Sequence, residues 1–161
     1  MNRKTLLALF VAVVLSACSS IDCPVQNLVR TYYQLKTTGA AADTLTDTLT
    51  ITSRRADGSD TILLNRAVLL SSFALPMGYS NPEDTLYFRF SNGTYVAVDT
   101  ICTKKDNYPH FESVDCSASF FHQITAVRTT HYAIDSISIN NTSVNYDTSP
   151  EHFHLYLKKR L

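Results

Sequence analysis

The sequence predicts an all-β domain, built as an antiparallel β-sandwich with an immunoglobulin-like layout and seven to nine strands. Two observations carry this prediction. Short segments alternate apolar and polar residues with a period of two, and turn residues separate these segments roughly every 8–12 positions. No segment has a convincing helical face. A small β-barrel is the alternative that the same pattern allows.

The clearest hairpin is predicted over residues 44–69. Leu45, Leu49 and Ile51 fall on one face of residues 44–53, and threonines fall on the other. This alternation of apolar and β-branched polar residues is typical of a half-buried strand. Residues 56–59 contain Gly58, which favours a turn, and residues 60–69 form the partner strand. A preceding strand is predicted around residues 32–35.

The middle of the chain is predicted to contain two further turns. Residues 71–82 are expected to be irregular because two prolines and a glycine interrupt any strand. A strand over Leu86 to Phe90 then meets Asn92-Gly93, which predicts a tight turn into residues 94–103. A second turn is predicted at residues 106–109, before a strand over residues 110–118.

Three strands are predicted in the C-terminal part. They cover residues 122–131, residues 134–140 and a closing segment in which Phe153, Leu155 and Leu157 alternate with polar residues. A short helix within residues 117–127, around Phe120 and Phe121, is the one helical element that the sequence allows.

The N-terminus resembles a bacterial lipoprotein signal. An apolar run follows Arg3 and Lys4 and ends in Leu15-Ser16-Ala17-Cys18. The run is much shorter than the roughly 20 apolar residues of a membrane-spanning helix, and it is typical of a signal peptide. We therefore expect residues 1–17 to be the signal, Cys18 to be the acylated first residue of the mature chain, residues 18–27 to be the lipidated N-terminus and tether, and residues 28–161 to be a single β-domain.

The sequence of the tether predicts where the protein is anchored, and the net charge of the mature chain limits the partners it can bind. Ser19 follows Cys18, where an aspartate would resemble an inner-membrane retention signal, and the tether lacks the acidic run that resembles a surface-export signal. We expect an outer-membrane anchor on the periplasmic face. Since Arg3 and Lys4 belong to the signal, the mature chain has a slight acidic excess. This charge balance argues against nucleic acid as a binding partner. The partners that remain are the membrane, through the lipid anchor, and envelope proteins or glycans.

Three cysteines remain once Cys18 is acylated. Cys23, Cys102 and Cys116 would lie in a compartment that permits disulfides, so one bridge at most is expected, with one thiol left over. A zinc site is set aside because the chain has no closely spaced cysteine pair. Cysteine spacing alone does not select the bridged pair.

The order of several short motifs resembles a family of small uncharacterised lipoproteins of Gram-negative gut and oral bacteria. The motifs are an early cysteine, Leu75-Pro76, the strand starts at Asp84 and Asp99, and a late cysteine after an aromatic strand. The resemblance implies a bridge between Cys23 and Cys116 and implies no activity. Ser117 stands where members often have glycine, and Cys102 is an additional cysteine. Cys102 and Cys116 are equidistant from Pro109, so a hairpin centred there would pair them instead.

No residue pattern predicts catalysis. The chain lacks a G-x-S-x-G elbow, an H-E-x-x-H helix and a calcium loop. We therefore expect no enzyme activity and no cofactor. His152 and His154 would share a strand face and could ligate one metal ion, with His110, His122 or His131 as a third ligand. They are weak metal candidates because a solvated strand face explains them as well and no carboxylate or cysteine sits at matching spacing.

A tripeptide of Asp, then Thr or Ser, then an aliphatic residue recurs along the chain. It is similar to an O-glycosylation acceptor of exported bacterial proteins. The same tripeptide suits a turn followed by a strand, which explains every occurrence without modification. The candidate acceptors are Thr44, Thr48, Thr61, Thr85, Thr100 and Ser136.

These features together predict a lipid-anchored interaction or structural module of the cell envelope. A carbohydrate-binding accessory protein is the alternative, with tyrosines as the stacking platform. The candidate platform residues are Tyr32, Tyr33, Tyr79, Tyr87, Tyr95 and Tyr108.

Overall fold

The alternating pattern folds the part of the chain that the structure describes into ten β-strands. The computed structural model describes Cys23 and residues 28–55 and 57–159. Residues 1–17, which are predicted to be the signal, Cys18 and the other tether residues except Cys23 lie outside the described residues. The strands are β1 (Arg30–Lys36), β2 (Thr48–Arg54), β3 (Asp60–Ala67), β4 (Ser72–Pro76), β5 (Glu83–Ser91), β6 (Val96–His110), β7 (Ser119–Thr129), β8 (Ile134–Ile139), β9 (Ser143–Val144) and β10 (Phe153–Leu157).

The strands form two sheets, which confirms the β-sandwich. The smaller sheet has the order β4-β1-β10-β8 and the larger has the order β3-β2-β5-β6-β7-β9. Each sheet ends in edge strands, so the arrangement is a sandwich and not a closed barrel. Strand neighbours are antiparallel except β1 and β10, which run parallel with Tyr33 opposite Phe153. That parallel pair and the tenth strand go beyond the sequence prediction. In the described part of the chain, no helix is long and apolar enough to cross a membrane.

The core lies between the sheets and contains the residues that the alternation predicted. Leu49 and Ile51 of β2 and Phe88 and Phe90 of β5 are fully buried. Each such side chain contributes about 1.5–3 kcal/mol to stability on burial. Tyr33 of β1 faces them, with its ring centre 4.9 Å from that of Phe153. Burial raises the pKa of the Tyr33 hydroxyl, and this residue is therefore unavailable as a sugar platform.

The segment predicted to be irregular contains strand β4. Phe73 and Leu75 point into the core from this strand. Pro76 ends the strand opposite Arg30, on the edge of the sheet. A proline is tolerated there because an edge strand leaves one row of backbone groups unpaired. The prediction that residues 71–82 are irregular is therefore wrong for Ser72–Pro76, because Pro76 does not prevent an edge strand.

The turn predicted at residues 106–109 is also wrong, as are the strand over 110–118 and the helix around Phe120. Strand β6 continues to His110, and Phe120 and Phe121 belong to β7. Beyond Lys104, β6 pairs with β7 on one side and, among the described strands, has no partner on the other. A proline is tolerated in such a stretch because the backbone groups on the unpaired side need no strand partner. The actual turn between β6 and β7 lies at residues 111–118.

Candidate binding surface

The outer face of the larger sheet carries a shallow groove, which we call the Arg89 groove. Two adjoining depressions of about 340 and 350 Å³ share Thr50 and Arg89. The groove crosses β3, β2, β5 and β6, and its residues alternate with the buried residues of the core. It is lined by the hydroxyl residues Thr48, Thr50, Thr52 and Ser91, by Arg54, Arg66 and Arg89, and by Asp60, Tyr87, Gly93, Val96 and Val98.

The groove carries a positive charge. Arg54 pairs with Asp60 at 3.1 Å and lies 5.9 Å from the centre of the Tyr87 ring. Among the described residues, Arg66 and Arg89 have no ion pair. A guanidinium group presents a planar set of donors that matches a carboxylate, phosphate or sulfate. The groove can therefore bind an anionic group without first breaking an existing ion pair at these two arginines.

A bulge in β3 positions Arg66. The pairing register of β2 with β3 shifts between Leu49 and Ile51, and Arg66 has a φ of 47°. This left-handed conformation is uncommon for a residue with a side chain. The backbone N–H of Arg66 donates to Thr50 Oγ1 at 3.3 Å. The bulge thus places Arg66 in the groove lining together with Arg89.

Asp99 is fully buried and holds the turn between β7 and β8. Its Oδ1 accepts hydrogen bonds from Thr130 Oγ1 and Tyr132 N, each at 2.8 Å. Its Oδ2 accepts from Ala133 N at 2.7 Å and from Ile134 N at 2.8 Å. With four donors on one carboxylate, this group organises structure and is not free for chemistry.

A second polar cluster lies on the inner face near the start of β5. Lys105 is buried and pairs with Asp84 at 2.8 Å. His122 Nδ1 bonds Asn107 Oδ1 at 2.7 Å, and the Asn107 amide donates to Tyr79 O at 3.0 Å. Burial, helped by the positive charge of Lys105, lowers the pKa of His122 to about 4. His122 is therefore neutral at physiological pH and closes this end of the sandwich.

The two weak metal candidates have separate partners. Tyr32 N donates to Nδ1 of the buried His152 at 3.1 Å, and His152 Nε2 donates to Ser143 O at 3.1 Å. His154 instead bonds Glu151 at 2.8 Å. Burial lowers the pKa of His152. No group of three or more His, Cys, Asp or Glu side chains is placed to hold a metal ion in the part of the chain that is described.

The comparison with protein families covers most of the sandwich. Residues 48–157, from β2 to β10, match a family of unknown function (DUF6452). The chain belongs to this family. The matched residues include the Arg89 groove, and the family description assigns no activity. No curated protein and no solved structure matches the chain significantly.

Cys23 and Cys116 of this DUF6452 protein form a disulfide, the pair that the sequence resemblance implies. Their Cα atoms are 5.5 Å apart. Cys102 is a buried free thiol, and its Sγ lies 3.8 Å from Thr85 Oγ1. The alternative bridge assumed a hairpin centred on Pro109. Because β6 continues through Pro109, Cys102 pairs in register with Arg128 instead.

The six candidate glycosylation residues differ in exposure. Thr44 and Ser136 are exposed, whereas the other four are half-buried in strands. Thr61 Oγ1 is buried without a hydrogen-bond partner. The structure therefore leaves Thr44 and Ser136 as the two accessible acceptors, and their modification stays a prediction.

The tyrosines do not form one platform. Tyr32 stacks on His152, Tyr79 stacks on Phe120, and only Tyr87 lies in the Arg89 groove. Sequence reasoning missed the arginines of the groove. Their signal was present, because Tyr87, Arg89 and Ser91 have the period of an outward strand face, but the pairing of β5 with β2 was needed to combine them with the threonines.

Proposed function

We propose that this DUF6452 chain is a lipid-anchored protein of the cell envelope whose β-sandwich is a non-catalytic binding module. The Arg89 groove is its binding site and takes an anionic group. The observation that carries this proposal is the pair of arginines, Arg66 and Arg89, that lack ion-pair partners within the described residues and share one groove.

The other polar groups already have hydrogen-bond or ion-pair partners within the domain, which supports a binding role over catalysis. Asp99 accepts four hydrogen bonds, Lys105 pairs with Asp84, and both ring nitrogens of His152 have partners. General acid–base catalysis needs a group that can exchange a proton with a substrate in a cleft. These groups instead stabilise turns and strand ends.

A carbohydrate with carboxylate or sulfate groups is a second, narrower candidate for the ligand. The groove places threonine and serine hydroxyls beside Tyr87 and the arginines. Hydroxyls bond sugar hydroxyls, and an aromatic ring offers an apolar face to a sugar ring. An acidic protein segment would use the arginines but would have less need of the hydroxyls.

The anchor of the proposed module is the acylated Cys18, in the outer membrane and on the periplasmic face. The lipobox-like sequence and Ser19 support this location. An acylated N-terminus would hold the domain at a membrane while leaving its sheet faces in water.

Binding by the detergent-solubilised full chain tests the groove. The probes are sulfated, carboxylated and neutral forms of the same oligosaccharides, with acidic peptides as a separate arm. Arg89→Gln should weaken binding to the charged sugars by about 10- to 150-fold, as expected for a charged hydrogen bond worth about 1.5–3 kcal/mol. Lys104→Gln removes an exposed cation from the same sheet face outside the groove and serves as the control.

The control separates a site from general charge. Lys104→Gln should change affinity less than about twofold because isolated surface charges contribute little. Equal losses in the two variants, or unchanged binding in Arg89→Gln, would reject the groove as the site. Preference for the peptides would reject the carbohydrate candidate alone.

A further inference from the structure

The turn between β6 and β7 forms an exposed apolar tip, which we call the hairpin tip (residues 111–118). Phe111 is 62% exposed and Val114 is 98% exposed. Tyr108, which is half-exposed, lies on β6 just before the tip. Soluble proteins seldom concentrate large exposed apolar side chains in one place unless that place makes a contact.

Aromatic side chains flank the hairpin tip on both faces of the sheet. On the inner face, Tyr79 stacks on Phe120 at 4.5 Å between ring centres. On the outer face, Tyr146 meets Phe121 edge-on at 5.0 Å. Tyr79 and Tyr146 are themselves exposed. Tyrosines with an apolar ring and a polar tip are enriched where proteins meet the headgroup layer of a membrane.

The disulfide ties the hairpin tip to the N-terminus. Cys116 lies within the tip and is bonded to Cys23. Cys23 follows Cys18 by only five positions, so their Cα atoms can be at most about 18 Å apart, even with the chain fully extended. The next described residue, Leu28, is about twice as far along the chain from Cys18 and forms an isolated β-bridge with Phe120 of β7. The disulfide therefore keeps the tip close to the proposed anchor.

We propose that the hairpin tip rests on the membrane surface, with Phe111 and Val114 at the boundary between headgroups and acyl chains. The inference depends on the acylation of Cys18 in the function proposed above. The contact is shallow because Glu112 and Asp115 lie in the tip. Glu112 pairs with His110 at 3.1 Å and remains in the headgroup water.

The charge of the tip indicates an apolar contact rather than attraction to anionic lipid. Residues 106–127 contain no lysine or arginine. Association of the tip should therefore not strengthen as the fraction of anionic lipid rises, unlike contacts made by basic segments. Val96 and the Arg89 groove lie near the other end of β6, about 45 Å along the strand from His110. A tip that faces the membrane would leave the groove facing away from it.

A single tryptophan at the tip provides the test, because the chain has no tryptophan of its own. The acylated full chain is reconstituted in phosphatidylethanolamine–phosphatidylglycerol vesicles, with and without brominated phosphatidylcholine. Val114→Trp should lose about half of its emission to the bromines, as a ring held at the interface would. Val96→Trp is the matched control: it replaces an exposed valine at the end of β6 farthest from the tip and should not be quenched.

The outcomes separate this inference from the anchor. Quenching of Val114→Trp that exceeds that of Val96→Trp, and that persists without phosphatidylglycerol, supports the inference. Acylated chain with an unquenched Val114→Trp refutes the inference alone and leaves the anchor standing. A chain that carries no acyl group and does not sediment with the vesicles refutes both.

Discussion

Replacing Asp99 with alanine should destabilise the domain more than any exposed substitution. The change removes the acceptor of four hydrogen bonds at 2.7–2.8 Å. Ala133 and Ile134 are buried, so their N–H groups would lose partners in a place that water does not readily reach. A buried donor without a partner costs about 1–3 kcal/mol.

The expected loss follows from those two groups. Their sum gives about 2–6 kcal/mol, since Thr130 and Tyr132 are exposed and can bond water. Asp99→Asn should cost about 2–3 kcal/mol because its amide keeps one acceptor oxygen and turns an NH₂ group towards two N–H donors. Asp60→Ala is the control: its ion pair with Arg54 is exposed, and such pairs contribute at most about 1 kcal/mol.

Urea unfolding followed by tyrosine fluorescence and far-ultraviolet circular dichroism measures these differences. The nine tyrosines supply the signal. If Asp99→Ala fails to fold, Asp99→Asn still gives a measurable value. Losses for both Asp99 variants that are no larger than the loss for Asp60→Ala would show that the carboxylate does not hold the turn.

Three further predictions concern the anchor, the bridge and pH. Cys18→Ala should abolish acyl labelling and release the protein from the membrane fraction, and label that persists would contradict acylation at Cys18. Non-reduced peptide mapping should recover a Cys23–Cys116 pair rather than Cys102–Cys116, and removing the bridge should cost up to about 4 kcal/mol for a loop of this length. Because the folded-state pKa of His122 is lowered to about 4, stability should fall as pH drops from about 6.5 to 4, by about 1–3 kcal/mol after allowance for partial solvent screening. His122→Asn should flatten that fall in urea midpoints, and an unchanged slope would assign the acid sensitivity to other groups.

The strand pattern was readable from the sequence because one face of each central strand is buried. The alternation through Leu49 and Ile51, and through Phe88 and Phe90, needs no partner to be recognised. Gly58 and Gly93 have φ values of 82° and 88°, which agrees with the turns predicted at both places. Local sequence decided these elements.

The errors arose where tertiary context overrides local preference. Pro76 and Pro109 suggested breaks, yet each lies where its strand has an unpaired side. The Asp-Thr tripeptide at Asp99 predicted a modification site or an ordinary strand start. Its actual contacts are with residues more than 30 positions away, so no local pattern could reveal them. The Arg89 groove likewise required the pairing of β2 with β5 and β3.

Backbone amide chemical shifts during titration with a sulfated oligosaccharide test the central claim most directly, because they locate the ligand on the sheet. We expect saturable shifts at Thr50, Arg89 and Val98, which share the outer face, and the loss of these shifts in Arg89→Gln but not in Lys104→Gln. Shifts centred on residues 111–118, or scattered shifts that grow without saturation, would contradict a binding site in the Arg89 groove.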